Sequence, residues 1–269
     1  MDAPAITDQE FSLFQRLVHQ IAGIKLADNK KALLVGRLQK RLREHQLGSF
    51  GDYYRMVSSG RQPAELQTMV DLLTTNETYF FREARHLEFL RDEILGQRPT
   101  GGTLRLWSAA SSSGEEAYSL AMVIADTVPG NARWEVFGSD ISTQVLAKAR
   151  AGRYPLERNE GIPEACRRKY CVKTSDDPHG FLVAPAIRQH VRFAQVNLTR
   201  PIDPRLGLFD VIFLRNVMIY FDSETKRQVI ANLLPQLLPG GYLIVGHSES
   251  LNGITDRLKS VKPTIYRKP

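Results

Sequence analysis

From about residue 104 onward the chain repeats a single alternation, which restricts its fold more than any other feature. Short apolar runs at 104–110, 134–139, 191–196, 210–214 and 242–245 are spaced by longer segments at 115–127, 143–151 and 224–237 whose apolar residues recur at helical intervals. Runs this short and this apolar are strands buried on both faces. Strands joined through helices pair in parallel by right-handed crossovers, so the expected fold is α/β, a doubly wound Rossmann-like sheet. Pro99-Thr100-Gly101-Gly102 punctuates the entry to this region. Between Tyr170 and His190 two short apolar runs, interrupted by Asp176, Asp177, Pro178 and Gly180, predict a small antiparallel β insertion.

The preceding segment has a different rhythm. Thr7-Asp8-Gln9-Glu10 has the form of a capping box, and Phe11, Phe14, Val18 and Ile21 follow on one helical face, predicting a helix over 8–22. Asp28 is the expected cap of a second helix striped by Leu34, Val35, Leu38 and Leu42. Further helices are expected at 50–57, 63–73 and 84–95, with no strand among them. Residues 1–90 thus read as an all-α domain and 91–269 as the α/β domain carrying the insertion at about 170–190.

Composition excludes several classes. Of 269 residues, 42% are hydrophobic and 24% charged, and no apolar run approaches the roughly 20 residues of a membrane span. With no basic-then-apolar leader at Met1, a cytoplasmic protein without membrane insertion is expected. Cys166 and Cys171, with His179 and His190 downstream, lack the paired spacing of a zinc site, so free thiols and no metal are expected. The net charge of +7 invites a nucleic-acid partner, yet residues 1–90 hold 12 basic and 11 acidic residues, with six of the basic ones clustered at 30–43. Lys30, Arg37, Lys40 and Arg41 fall on one face of the second helix, a docking patch or a solvated face.

In an open α/β sheet ligands bind beyond the carboxyl ends of the strands. The first such end, Ser108-Ala109-Ala110-Ser111-Ser112-Ser113-Gly114-Glu115-Glu116, lacks the three-glycine fingerprint and puts carboxylates where a pyrophosphate needs a helix N-terminus, which disfavours a dinucleotide. Glu116 suits a ligand ammonium, or with Glu115 it serves the helix dipole. Asp140 can accept both hydroxyls of a ribose, leaving Ser142 to cap the next helix. Asn197 and Asn216 offer the paired donor and acceptor that an adenine edge needs, and each can equally close a turn.

Several longer elements are similar to the chemotaxis receptor glutamate methyltransferases: Thr75-Asn76-Glu77-Thr78-Tyr79-Phe80-Phe81-Arg82-Glu83, Ser108 to Glu116, Ser139-Asp140-Ile141, Val196-Asn197-Leu198, Arg215-Asn216-Val217-Met218-Ile219-Tyr220-Phe221-Asp222 and Gly246-His247-Ser248-Glu249. The resemblance spans almost the whole chain. It implies S-adenosylmethionine as cofactor, with S-adenosylhomocysteine as product. Asn76, Thr78 and Arg82 would reach over it from the helical side, and Glu116, Asp140, Asn197, Leu198, Arg215 and Asn216 would hold it from the sheet. Arg82 and Tyr220 would lie beside the transferred methyl as the catalytic pair. The residues alone allow blander roles: a surface ion pair of Arg82 with Glu83 or Glu88, a Tyr220 hydroxyl satisfied by backbone, and interdomain core for Tyr79, Phe80 and Phe81. The implied substrate is glutamate in the cytoplasmic domain of methyl-accepting chemotaxis receptors, an acidic partner for the basic helix face. Some relatives grip a receptor C-terminal tethering peptide with the β insertion. Nucleic-acid methylation is disfavoured, because amino-methylating DNA enzymes carry an Asp/Asn-Pro-Pro-aromatic element where this chain has Arg215-Asn216-Val217-Met218. A cofactor-sensing module without turnover is the remaining alternative, and the presence of both Arg82 and Tyr220 argues against it.

Overall fold

The computed structural model describes residues 5–97, 102–174 and 177–269. Met1 to Pro4, the Pro99-Thr100-Gly101 break and Asp176 lie outside the described residues.

The expected capping box opens α1 (Asp8–Ala22): the Thr7 N–H donates to Glu10 Oε2 at 2.8 Å and the Glu10 N–H returns to Thr7 Oγ1 at 3.2 Å. Then come α2 (Lys31–Glu44), α3 (Phe50–Ser58) and α4 (Pro63–Leu73). Their apolar stripes close one core around Phe14, Leu34, Leu38, Leu42, Phe50 and Met69. The second helix starts later than expected, after a 3-10 turn at Asp28–Lys30, and Asp28 does not cap it. The Asp28 carboxylate instead accepts a hydrogen bond from Gln15 Nε2 at 3.0 Å, fastening the turn to α1.

The segment 84–95 forms α5 (Ala84–Phe89), which runs on into a π-helical turn (Leu90–Leu95). Leu87, Phe89, Leu90 and Leu95 pack with the sheet rather than with α1–α4, so a division at residue 90 cuts through one core.

Beyond it lie β1 (Leu104–Ser108), α6 (Glu115–Thr127), β2 (Trp134–Asp140), α7 (Thr143–Ala151), β3 (Arg153–Pro155), α8 (Glu164–Tyr170), β4 (Cys171–Thr174), β5 (Asp177–Val183), α9 (Pro185–Arg188), β6 (Val191–Gln195), β7 (Phe209–Leu214), α10 (Ser223–Leu233), β8 (Leu237–Val245), β9 (Lys259–Lys262) and β10 (Ile265–Arg267). The main sheet has the order β6-β2-β1-β7-β8-β10-β9. Its first five strands are parallel, and β10 pairs antiparallel with β8 and with β9. The chain winds outward from β1 through β2 to β6, then returns to place β7 on the other side of β1. That reversal opens a crevice at the carboxyl ends of the central strands. The last two strands escaped the sequence reading because both are short and β9 is exposed along its whole length.

The insertion is a second sheet of order β3-β5-β4. It draws its first strand from Arg153–Pro155, before the expected start, because the antiparallel edge of β5 takes up this three-residue segment beside Leu182, Phe181 and Gly180.

Candidate active site

A cavity of about 870 Å³, open space at its mouth included, lies at the crevice. Every residue expected to hold the cofactor or react with it lines this cavity: Asn76, Thr78, Arg82, Glu116, Asp140, Asn197, Leu198, Arg215, Asn216 and Tyr220. Strand topology accounts for the convergence. β1, β2, β6 and β7 run parallel, so their following loops emerge at one edge, while the segment after α4 crosses above them.

Asp140, at the end of β2, is buried. Its Oδ2 accepts the Ser112 N–H at 2.9 Å and its Oδ1 the Ser142 N–H at 3.0 Å. Each oxygen keeps a further acceptor position, which suits a pair of hydroxyls. Burial pushes the carboxyl above its ordinary pKa, against the pull of those two backbone donors. Ser142 Oγ caps α7, accepting the Val145 N–H, so capping does not consume Asp140. Small Ala109 and Ala110 leave the floor open beside it.

Glu116 is more committed than the sequence suggested. Its Oε1 accepts from Ser108 Oγ at 2.6 Å and its Oε2 from Arg215 Nε at 2.6 Å, so a ligand ammonium would share this carboxylate with a buried guanidinium. Arg215 also donates to the Arg82 carbonyl at 2.8 Å and lies 3.6 Å from Glu83 Oε2. Glu115 points elsewhere, accepting from Ser113 Oγ and facing Arg158 at 3.5 Å.

For Asn197 the turn-closing role is realised. Oδ1 accepts from the Thr199 N–H and Oγ1, and Nδ2 donates to the Ile21 carbonyl of α1 at 2.7 Å. Leu198 supplies a neighbouring apolar wall. Asn216 sits at φ +57°, with Nδ2 donating to Glu83 Oε1 at 3.0 Å and its N–H to Glu249 Oε2 at 2.8 Å.

From the helical side, Asn76 Nδ2 donates to Thr74 Oγ1, and the Asn76 carbonyl accepts from Ser112 Oγ at 2.9 Å. Arg82 lies 5.5 Å over the Tyr79 ring and donates to the Glu77 carbonyl. Neither Glu83 nor Glu88 pairs with it. Burial would raise the Glu83 carboxyl, but His86, Asn216 and Arg215 hold it at about 2. The half-buried Tyr220 hydroxyl has no partner among the described residues, and the Tyr220 carbonyl accepts the Lys25 N–H at 2.8 Å. Phe80 is core as expected, but core of the sheet domain and its insertion, edge-on to Tyr154 and tilted against Phe181, whereas Tyr79 is 47% exposed.

The basic face of α2 does not survive intact. Arg37 Nη1 donates to the carbonyls of Leu73 and Thr74, each at 3.0 Å. Arg41 Nε donates to Glu65 Oε1 at 2.8 Å and also pairs with Glu44. Glu65 is buried, with Tyr53 Oη donating at 2.7 Å and His45 Nε2 at 3.0 Å beside it, and Arg41 is its permanently charged partner. Only Lys30 and Lys40 of the expected four stay exposed, Lys40 lying 3.7 Å from Glu44.

Three groups distant in sequence, Glu83, His86 and His247, meet with ligand atoms within 4.8 Å of one another. Arg215 Nη1 stands 3.3 Å from His86 Nδ1, and His86 Nε2 faces Thr264 Oγ1 at 2.8 Å, so the cluster serves as a polar bridge behind the cavity. Sequence reasoning also gave no role to Glu249 or Glu65. Glu249 stood inside one of the quoted elements, while Glu65 carried no signal beyond its place on an apolar helix.

The CheR methyltransferase SAM-binding domain matches residues 76–267, and the CheR methyltransferase all-alpha domain matches residues 9–74. The chain is 40% identical over 266 residues to the chemotaxis protein methyltransferase of Escherichia coli, covering 97% of this chain and 91% of that one. It is 39% identical to that of Salmonella typhimurium, with the same coverage. Identity to chemotaxis protein methyltransferase 2 of Pseudomonas aeruginosa is 37%, over 97% of this chain and 93% of the relative. Together with the sheet and its crevice, these matches define an S-adenosylmethionine-dependent methyltransferase. The chain belongs to the CheR methyltransferase family.

Proposed function

We propose that this enzyme methylates glutamate side chains in the cytoplasmic domain of methyl-accepting chemotaxis receptors, giving glutamate methyl esters. The observation that carries the reading is a pair of donors on the cavity wall, suited to an acceptor carboxylate: Arg82 without a carboxylate partner, and Tyr220, whose hydroxyl has no partner among the described residues. Glu77, Glu116 and Asp140 bring carboxylates to the wall, and this reading asks none of them to act as a base. A glutamate acceptor, with a pKa of about 4.3, is already ionised at neutral pH and needs none.

The residues fit S-adenosylmethionine. Asp140 offers acceptors to a ribose, Leu198 an apolar face to a base, and Glu116 with Arg215 a charge-balanced pair to an amino acid moiety. When bound, this cofactor supplies an electrophilic methyl on a sulfonium. Arg82 orients the incoming carboxylate, Tyr220 donates a hydrogen bond to it, and the apolar walls at Ala109, Ala110, Val217 and Phe221 exclude water that would solvate both charges. In this reading the Glu83-His86-His247 group is a polar bridge and not a metal centre, since the Arg215 guanidinium stands 3.3 Å from His86 Nδ1.

No helix among the described residues is long and apolar enough to cross a membrane, in keeping with action in the cytoplasm on the soluble part of a receptor. The β3-β5-β4 sheet offers β4 as an open edge for a receptor C-terminal tethering peptide. Nucleic acid is not the acceptor.

The test is transfer of labelled methyl from S-adenosylmethionine to purified receptor cytoplasmic fragments, with base-labile release as methanol. Label that is base-labile and lost in Asp140→Ala and Tyr220→Phe supports the assignment. Base-stable label, or none despite cofactor binding, refutes it.

A further inference from the structure

Glu249 is buried four residues beyond the end of β8. Its carboxylate accepts three backbone N–H groups. Oε2 takes those of Gly246 at 2.7 Å and Asn216 at 2.8 Å, and Oε1 takes that of Met218 at 2.7 Å. No cation pairs with it among the described residues, so peptide dipoles alone hold its charge. Two of the three donors belong to a different part of the chain, the loop after β7 that carries Arg215, Asn216 and Tyr220 into the cavity.

The loop turns at Asn216, which stands at φ +57°, a left-handed geometry that asparagine enters more readily than other residues with a side chain. The amides of residues 216 and 218 converge on one carboxylate only with the loop bent in this way. Gly246 is part of the same device: a Cβ there would lie 2.7 Å from Glu249 Oε2 and 2.8 Å from Asn216 Nδ2.

The side chains on the loop are not equally dependent on it. Arg215 is held separately by Glu116, and Asn216 by Glu83. The Tyr220 hydroxyl has no partner among the described residues, so it follows its backbone, which the Glu249 grip on Asn216 and Met218 holds from one side and the Lys25 N–H on the Tyr220 carbonyl from the other.

We infer that Glu249 is a positioning residue for methyl transfer, fixing the 215–220 loop so that the Tyr220 hydroxyl meets the acceptor carboxylate. The inference rests on the role proposed above for Tyr220. Weakening the grip of Glu249 should loosen the 216–218 segment leading to Tyr220 while Glu116 and Glu83 still hold the Arg215 and Asn216 side chains, and a displacement of about 1 Å can cost about 100-fold in rate.

Two variants test this by different routes. Glu249→Gln keeps the volume but turns an NH₂ toward backbone donors. Gly246→Ala keeps the charge and pushes the carboxylate aside. For each, kcat for receptor methylation is expected to fall by about 10- to 100-fold, with the Kd for S-adenosylhomocysteine unchanged within about threefold and melting still cooperative. A folded Glu249→Gln protein with wild-type kcat overturns the inference. So does a fall in kcat matched by an equal loss of cofactor affinity, which would make Glu249 a support of the whole cavity. If Glu249→Gln does not fold, Gly246→Ala is judged by the same criteria. Tyr220→Phe is measured alongside: wild-type kcat there discards the role of Tyr220, and this inference with it, whereas a lowered kcat beside a normal Glu249→Gln discards only the positioning role.

Discussion

The strand ends of the crevice and the basic face of α2 were read from similar signals, polar residues at regular positions, yet they come out differently in the structure. At the strand ends, Asp140, Asn197 and Arg215 all reach one cavity. On α2, Arg37 and Arg41 turn inward, one to the carbonyls ending α4 and the other to buried Glu65. A strand end in a parallel sheet is located by topology; Asp140 and Asn197 there are too short to reach elsewhere, and Arg215 finds its acceptor, Glu116, inside the same crevice. Arginine on a helix carries a long stem that reaches whichever acceptor lacks compensation, including one on another helix. Periodicity places the Cα; it does not place the guanidinium.

The sharpest way to break this contrast is Arg41→Glu. If Arg41 is structural, its reversal leaves Glu65 buried beside a second carboxylate and costs about 3–5 kcal/mol, a drop in Tm on the order of 10 °C by calorimetry. An unchanged Tm with impaired receptor binding would return Arg41 to the docking face. The same pair predicts an acid dependence. Burial would raise the Glu65 carboxyl, but Arg41, Tyr53 and His45 lower it from an ordinary 4.5 to about 2. The depressed pKa means its contribution is complete above pH 4.5 and is lost as pH falls toward 2. Glu65→Gln should therefore flatten the acid limb of the stability profile, and a wild-type limb in that variant would count against the pairing.

Asp140→Ala comes next. Losing charge-assisted bonds to a ribose should weaken S-adenosylhomocysteine binding by about 100-fold in titration calorimetry, and an effect under threefold would assign Asp140 wholly to its backbone donors. The smallest effect is expected at Lys30→Glu with Lys40→Glu. Exposed charges of this kind should raise the KM for receptor a few-fold at low salt, fade at high salt and leave Tm unchanged. No change in KM at low salt would leave α2 without a docking role.

The parallel strands, the helical segment and the strand-end residues Glu116, Asp140, Asn197 and Asn216 were legible from spacing, from a capping box, apolar runs and what stands at their ends, whereas Asn76, Thr78, Arg82, Leu198 and Tyr220 were indicated only by the family resemblance. The edge hairpin β9–β10 and strand β3 were not, since three or four residues at an edge take their conformation from a neighbour and not from themselves. Within the site, position was legible and commitment was not. Nothing in the residue types indicated that Glu116 would already hold Arg215, or that the amide of Asn197 would be taken by Ile21. Glu83, His86 and His247 meet only through tertiary contact and left no local pattern to find.

The two family matches stop at residue 74 and resume at residue 76, as though the chain were two modules set end to end. Thr74, Thr75 and Asn76 are nevertheless cavity wall, and Asp71 of α4 reaches across to accept the Thr143 and Gln144 N–H groups that open α7. The seam between modules is thus itself working surface. Separating the two at that point would leave the Thr143 and Gln144 N–H groups of α7 without their Asp71 acceptor and a cofactor cleft lacking its roof. For the same reason, exchanging helical domains between relatives to redirect receptor choice would alter cofactor binding too, unless the segment from Asp71 to Arg82 stays with the sheet.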